Sequence, residues 1–281
     1  MRRFRDASLC AAAAAVLLAI APGAAQQEKT DDLLSRAEDA VALYIAKLAD
    51  VHCTEEVHQV KVRPDGKPEA TVKTEYDYFV LLQGNSIDLQ LAESRLAAGK
   101  EPQRQTPLLL SNGLSMLLLM FHPYYRAGFT FHPEGPEEMA GRHTMRYHFA
   151  HIAGTRTPSA LALRQREYPL DLQGTAWIDA ESGQPIRIDA GLLQPMTDVG
   201  LKSLTVHVEY APVAAIPGNP VLVSVADVDL ETPRQHWRNS HTFRNYKLFS
   251  AEATQDPNVK VHTTSGGAQG GSAPPQTEEK P

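Results

Sequence analysis

Eleven histidines stand in this chain, and imidazoles in that number raise two chemistries, metal ligation and general acid–base work. Spacing argues against the first. His52 and His58 fall on one face of a strand, but six residues at about 3.3 Å each place them roughly 20 Å apart, too far to share an ion. His148 and His151 differ by an odd number and face opposite sides of a strand, and His236 and His241 are likewise out of phase. The sequence contains neither a Cys-x-x-Cys pair nor a His-Glu-x-x-His helix. An acid–base site stays open if the strands gather His143, His148, His151, His236 and Asp179 in space, which would make the chain a hydrolase. Ser115 lies in Gly-Leu-Ser-Met-Leu, which lacks the second glycine of a nucleophile elbow and follows no strand, so it reads as a helix residue. Asp179 and Glu181 belong to the turn Asp-Ala-Glu-Ser-Gly, where Asp and Gly serve the backbone. Cys53 reads as a small half-buried residue at a strand start. No catalytic residue, metal or cofactor is assigned.

What the sequence supplies in quantity is apolar surface. Residues 30–50 carry Leu33, Leu34, Ala37, Val41, Tyr44, Ile45 and Leu48 at helical spacing, with Thr30 or Asp31 as the cap. The period then changes to two. Strands at 57–62 and 72–82 flank Arg-Pro-Asp-Gly-Lys, a turn in which Pro64 presets one dihedral and Gly66 accepts a left-handed one. In the second strand Tyr76, Tyr78 and Val80 share a face. A segment at 108–121 opens on Thr-Pro, is apolar nearly all round and stops at His122-Pro123, so it predicts a helix wrapped by protein or covering something apolar. Further strands are predicted at 87–91, 124–131, 142–152, 174–179, 185–190, 201–211, 220–230 and 241–249. A turn is predicted at Pro-Glu-Gly-Pro-Glu-Glu (133–138) and a loop at 153–170. Strands joined by short turns pair antiparallel. The expected fold is therefore α+β: a curved antiparallel meander, or half-barrel, with an N-terminal helix and a second, apolar helix over its concave face. A ligand site on that face would draw on Tyr76, Tyr78, Leu110, Leu114, Leu117, Leu118, Phe121, Phe129, Tyr147 and Phe149.

The ends of the chain set its address. Arg2, Arg3 and Arg5, an alanine-rich apolar run over 7–21, and Gly23 and Ala25 ahead of Gln26 have the form of a secretory leader. Cleavage after residue 25 would leave one domain over 26–255, with no transmembrane anchor, and a tail over 256–281 of disordered composition. The expected destination is the periplasm or the medium. The formal net charge is −6, and losing a leader with three arginines makes the chain more acidic still. Nucleic acid and anionic membrane surfaces are excluded as partners on that balance. Cys53 becomes the one thiol, so no intramolecular disulfide can form and a core must stabilise the domain.

The order of leader, helix and antiparallel strands, with the hairpin Gly-Thr-Ala-Trp-Ile-Asp-Ala-Glu-Ser-Gly-Gln-Pro-Ile-Arg-Ile (174–188) and the late stretch His-Thr-Phe-Arg-Asn-Tyr-Lys-Leu-Phe (241–249), resembles the LolA-like superfamily of periplasmic lipoprotein carriers and outer-membrane lipoprotein-sorting proteins. The resemblance spans roughly residues 30–250. It implies a half-barrel closed by helices and an apolar cavity, and hence a non-enzymatic carrier of a lipid or acylated peptide in the cell envelope. It implies no catalytic residue. Two other functions stay in view, the histidine-based envelope hydrolase and an envelope scaffold whose apolar helix docks on a protein.

Overall fold

A computed structural model describes residues 22–83, 89–97, 113, 115–163, 166–249 and 263–265. Helix α1 (Pro22–Leu48) comes first, starting upstream of the expected cap at Thr30 or Asp31 with a proline in its first turn, where a missing N–H costs nothing. All seven residues of its anticipated apolar face are buried. Strands β1 (Val51–Val62), β2 (Pro68–Gln83) and β3 (Gln90–Ala97) follow as an antiparallel set.

The 3-10 helix Leu117–Phe121 and the short helix α2 (Pro123–Arg126) lead into the hairpin β4 (Phe129–Met139) and β5 (Arg142–His151). A two-stranded sheet of β6 (Ala160–Leu163) and β7 (Arg166–Pro169) occupies the region expected to be a loop. The run ends with β8 (Leu172–Asp179), β9 (Pro185–Leu192), β10 (Ser203–Pro212), β11 (Val221–Glu231), β12 (His236–Leu248) and β13 (Thr263–Ser265).

Among the described residues eleven strands form one open sheet in the order β13-β3-β2-β1-β12-β11-β10-β9-β8-β5-β4, every pair antiparallel. The expected α+β curved sheet is present. It is two meanders, β1 to β3 and β8 to β12, joined because the first strand pairs with the twelfth. Thr263–Ser265, expected inside a disordered tail, covers the edge of β3, whose N–H and C=O groups would otherwise be left unpaired. α1 crosses the concave face against β1, β11 and the 3-10 helix.

Three local expectations need correction, the first being the strand expected over 124–131, whose opening residues 124–126 belong to α2 and which begins only at Phe129. The Pro-Glu-Gly-Pro-Glu-Glu stretch is part of β4, with a register shift between Pro133 and Gly135. β4 ends the sheet, and an edge strand tolerates prolines. The hairpin turns instead at Ala140 and Gly141, which both have positive φ, 50° and 73°, as a tight two-residue turn requires. Of the helix expected over 108–121, residues 108–112 and 114 lie outside the described residues, and the rest forms only the short 3-10 helix. Gly113 explains why regular winding fails there: its φ is 75°, and a Cβ on it would lie 2.4 Å from the carbonyl oxygen of Pro158.

Candidate functional site

The concave face is built by strand parity. In β2, Tyr76, Tyr78 and Val80 point inward, and their partners Glu55 and Cys53 on β1 and Arg95 and Glu93 on β3 must share that face. β5 contributes Tyr147 and Phe149, while Phe129 opens β4 on the same side. Over this surface the 3-10 helix lays five consecutive apolar side chains, Leu117 to Phe121, all buried. With three residues per turn such a helix sends side chains in three directions. Every direction here meets protein.

Of the ten residues anticipated for a ligand site, eight lie in this one core: Tyr76, Tyr78, Leu117, Leu118, Phe121, Phe129, Tyr147 and Phe149. All but Tyr76 belong to one contiguous cluster of buried apolar side chains. Leu110 and Leu114 lie outside the described residues. An aromatic contact ties the cover to the sheet, with Phe121 at 4.9 Å from Phe131, and Phe129 and Phe149 lie 6.3 Å apart within the sheet, ring centre to ring centre. Among the described residues polar bonds to the cover are few. Tyr210 Oη accepts from the Leu118 N–H and donates to the Ser115 carbonyl, both at 3.2 Å, and burial pushes its phenol well above the usual range.

The remaining polar links lead to an ionic cluster that sequence reasoning missed. Ser115 Oγ donates to Glu93 Oε1 at 2.8 Å, and Tyr78 Oη lies 3.3 Å from Ser115 Oγ. Arg95 grips Glu55 in a two-pronged pair, Nε to Oε2 at 2.6 Å and Nη2 to Oε1 at 3.0 Å, and reaches Glu93 Oε2 with Nη1 at 3.1 Å. Its guanidinium also stands over the Tyr78 ring, 5.1 Å from the centre. His241 on β12 donates from Nδ1 to Glu55 Oε1 at 2.8 Å. Burial pushes the Glu55 carboxyl up, but Arg95 and His241 outweigh it and hold the group down at about 2. Parity was the one available signal, since Glu55 occupies the inward phase of Val51, Cys53 and Val57.

The histidines of the hydrolase alternative do not converge through any shared partner. His143 is on the surface against Glu138, His151 is buried against Asp171 at 2.7 Å, and His236 binds Asp229 at 2.7 Å. Asp179 Oδ1 accepts from the N–H groups of Glu181 and Ser182 and from the Ser182 hydroxyl, so it organises its turn. Among the described residues no group of three His, Cys, Asp or Glu could hold a metal. Cys53 is buried, and burial raises its thiol to about 12.

On the opposite, outer face a groove of about 740 Å³ runs across β8 to β12, lined by Trp177, Arg187, Asp189, His207, Asp227 and Arg238 among others. Its charges largely close on one another: Arg187 and His207 both bind Asp189, and Arg238 binds Asp229. This groove shares no lining residue with the anticipated site.

No family model matches the chain, and no curated protein matches its sequence. Three solved structures are similar to it. A LolA superfamily protein from Nitrosomonas europaea has 10% identity and a TM-score of 0.38, covering 78% of this chain and 93% of its own. A DUF1329 family protein from Desulfovibrio piger has 9% identity and a TM-score of 0.40, covering 81% and 99%. An outer membrane lipoprotein-sorting protein domain from Vibrio parahaemolyticus has 8% identity and a TM-score of 0.36, covering 82% and 94%. At these identities and TM-scores the likenesses assign neither ligand nor activity.

Proposed function

We propose that this chain is an exported, non-enzymatic binding or carrier protein for a lipid or acylated ligand, held on the concave face of its open sheet. One observation carries the reading. Five consecutive apolar residues, 117–121, are buried in a short 3-10 helix across the trough without being paired into the sheet. Burying each such side chain contributes about 1.5–3 kcal/mol, and an acyl chain offers the same sheet residues an equivalent apolar surface. Exchange of cover for ligand therefore needs no large net loss of burial. The leader-like N-terminus supports export, and no helix among the described residues is long and apolar enough to cross a membrane.

The test is a titration of the purified leader-free protein with a dansyl-labelled fatty acid. The expected result is saturable enhancement at one probe per chain, reversed by unlabelled palmitate. No enhancement below the concentration at which the probe forms micelles would remove the reading.

A further inference from the structure

Most histidines on the outer face of the sheet are occupied by a carboxylate. His52 binds Asp77, His207 binds Asp189 and His236 binds Asp229. His132 and His148 face each other instead. They are register partners on β4 and β5. Both point outward, because Tyr147 and Phe149 on either side of His148 are fully buried and Phe131, just before His132, turns in against Phe121. Neither imidazole has a hydrogen bond or an ion pair among the described residues.

Directly opposed residues of two antiparallel strands hold their Cβ atoms about 4.5–5.5 Å apart. Two imidazoles so placed can turn about χ1 and χ2 to converge on one ion at about 2.0–2.1 Å from a nitrogen of each ring. The backbone keeps them opposed. Pro133 confines His132 to the extended region, and the register shift of β4 falls only between Pro133 and Gly135, beyond the pair. His132 is exposed and His148 half-buried, so water reaches the remaining coordination positions. Glu134, the next carboxylate on β4, is engaged by Arg146 at 2.9 Å.

We infer that His132 and His148 form a two-imidazole site for a divalent late transition ion, which holds Cu²⁺ more tightly than Zn²⁺, the order such donors follow. Each histidine gives the lone pair of one neutral ring nitrogen, and water completes the shell. The consequence is mechanical. β4 ends the described sheet, and an ion across the pair staples that edge strand to β5, behind the Phe131 that packs on Phe121 of the cover. The site stands or falls independently of any ligand on the concave face.

The experiment titrates the leader-free, untagged protein with Cu²⁺, read by calorimetry and by electron paramagnetic resonance. The expected result is one tight ion per chain with two equatorial nitrogens. His132→Gln and His148→Gln should each weaken it by at least about tenfold, since even partners outside the coordination shell cost that much when lost. The double variant should fall short of the sum of the two losses, as expected of groups that share one ion. His58→Gln is the control, an outward histidine on β1 that lies opposite Ser240 and Lys73, and it should leave the affinity unchanged. The same loss in all three single variants, or none in any, means adventitious binding to scattered imidazoles and overturns the site. Amide hydrogen exchange of the unaltered protein gives a reading that needs no variant: Zn²⁺ should slow exchange in β4 and β5 above all. Exchange that Zn²⁺ leaves unchanged in β4 also overturns the site.

Discussion

The two ends of the concave face follow one construction rule and reach opposite interiors. Toward β8 to β11 the inward positions are Ala176, Ile178, Ile188, Val206, Val208, Ala226 and Val228, covered by α1 and the 3-10 helix. Toward β12, β1, β2 and β3 the same parity turns in Glu55, Gln59, Glu93, Arg95, Asn239 and His241 beside Tyr76, Tyr78 and Phe243. A domain selected for stability alone has no use for the second arrangement, because buried charges must recover their desolvation before they contribute anything. The apolar end holds the fold together, while the polar end keeps charges buried and leaves His241 Nε2 without a partner among the described residues.

The sharpest break of this contrast removes Arg95, the guanidinium that pairs with both carboxylates. Arg95→Met leaves Glu55 and Glu93 buried together without a counter-charge and should cost about 4 kcal/mol in urea denaturation. If it costs under about 1 kcal/mol, the cluster is wet and the contrast between the two ends is wrong. Acid should act at the same end. Glu55 has a folded pKa of about 2 against an ordinary value of 4.5. Its contribution is therefore complete above about pH 5 and is lost as pH falls toward about 2, a change on the order of 3 kcal/mol. Unfolding free energies of the wild type and Glu55→Gln, measured across that range, should differ in slope. A parallel pair of curves would show that Glu55 is not held ionised by its neighbours.

At the apolar end the effects should be those of packing alone. Leu119→Ala removes a buried side chain of the 3-10 helix and should cost about 2–3 kcal/mol independent of pH, read from the same urea curves. A pH-dependent cost would mean that the two ends are coupled. Leu43 lies on the exposed side of α1 with 61% of its surface open, and Leu43→Lys should change stability by less than about 0.5 kcal/mol. A larger loss would reveal a packed surface where α1 faces solvent.

The sequence made the apolar buried side chains legible and left the polar ones among them hidden, for identifiable reasons. The spacing of Leu33, Leu34, Ala37, Val41, Tyr44, Ile45 and Leu48 repeats with the helix, and the alternation through Tyr76, Tyr78 and Val80 repeats with the strand, so each local pattern names its own buried face. β3 offers no such pattern. In Gln-Leu-Ala-Glu-Ser-Arg-Leu-Ala the inward set includes Leu91 and Ala97 with Glu93 and Arg95, while the outward set includes Ala92 and Leu96 with Ser94, so alternation names neither face as the buried one. Glu55 meets His241 across 186 residues of chain, and only the pairing of β1 with β12 brings them together. The 3-10 helix escaped for a backbone reason, the positive φ of Gly113 close against Pro158. The turn at Ala140-Gly141 was passed over because the two prolines of β4 resemble a turn until their edge position is known.

An amphiphile held on the concave face should stay with the protein through purification. The most direct measurement is native mass spectrometry of the protein purified after export and without detergent, followed by solvent extraction and lipid analysis of the same sample. The account predicts a second mass state heavier by one amphiphile, with the extracted molecule carrying a long apolar chain. A chain that flies only at its bare mass and yields nothing on extraction would contradict it.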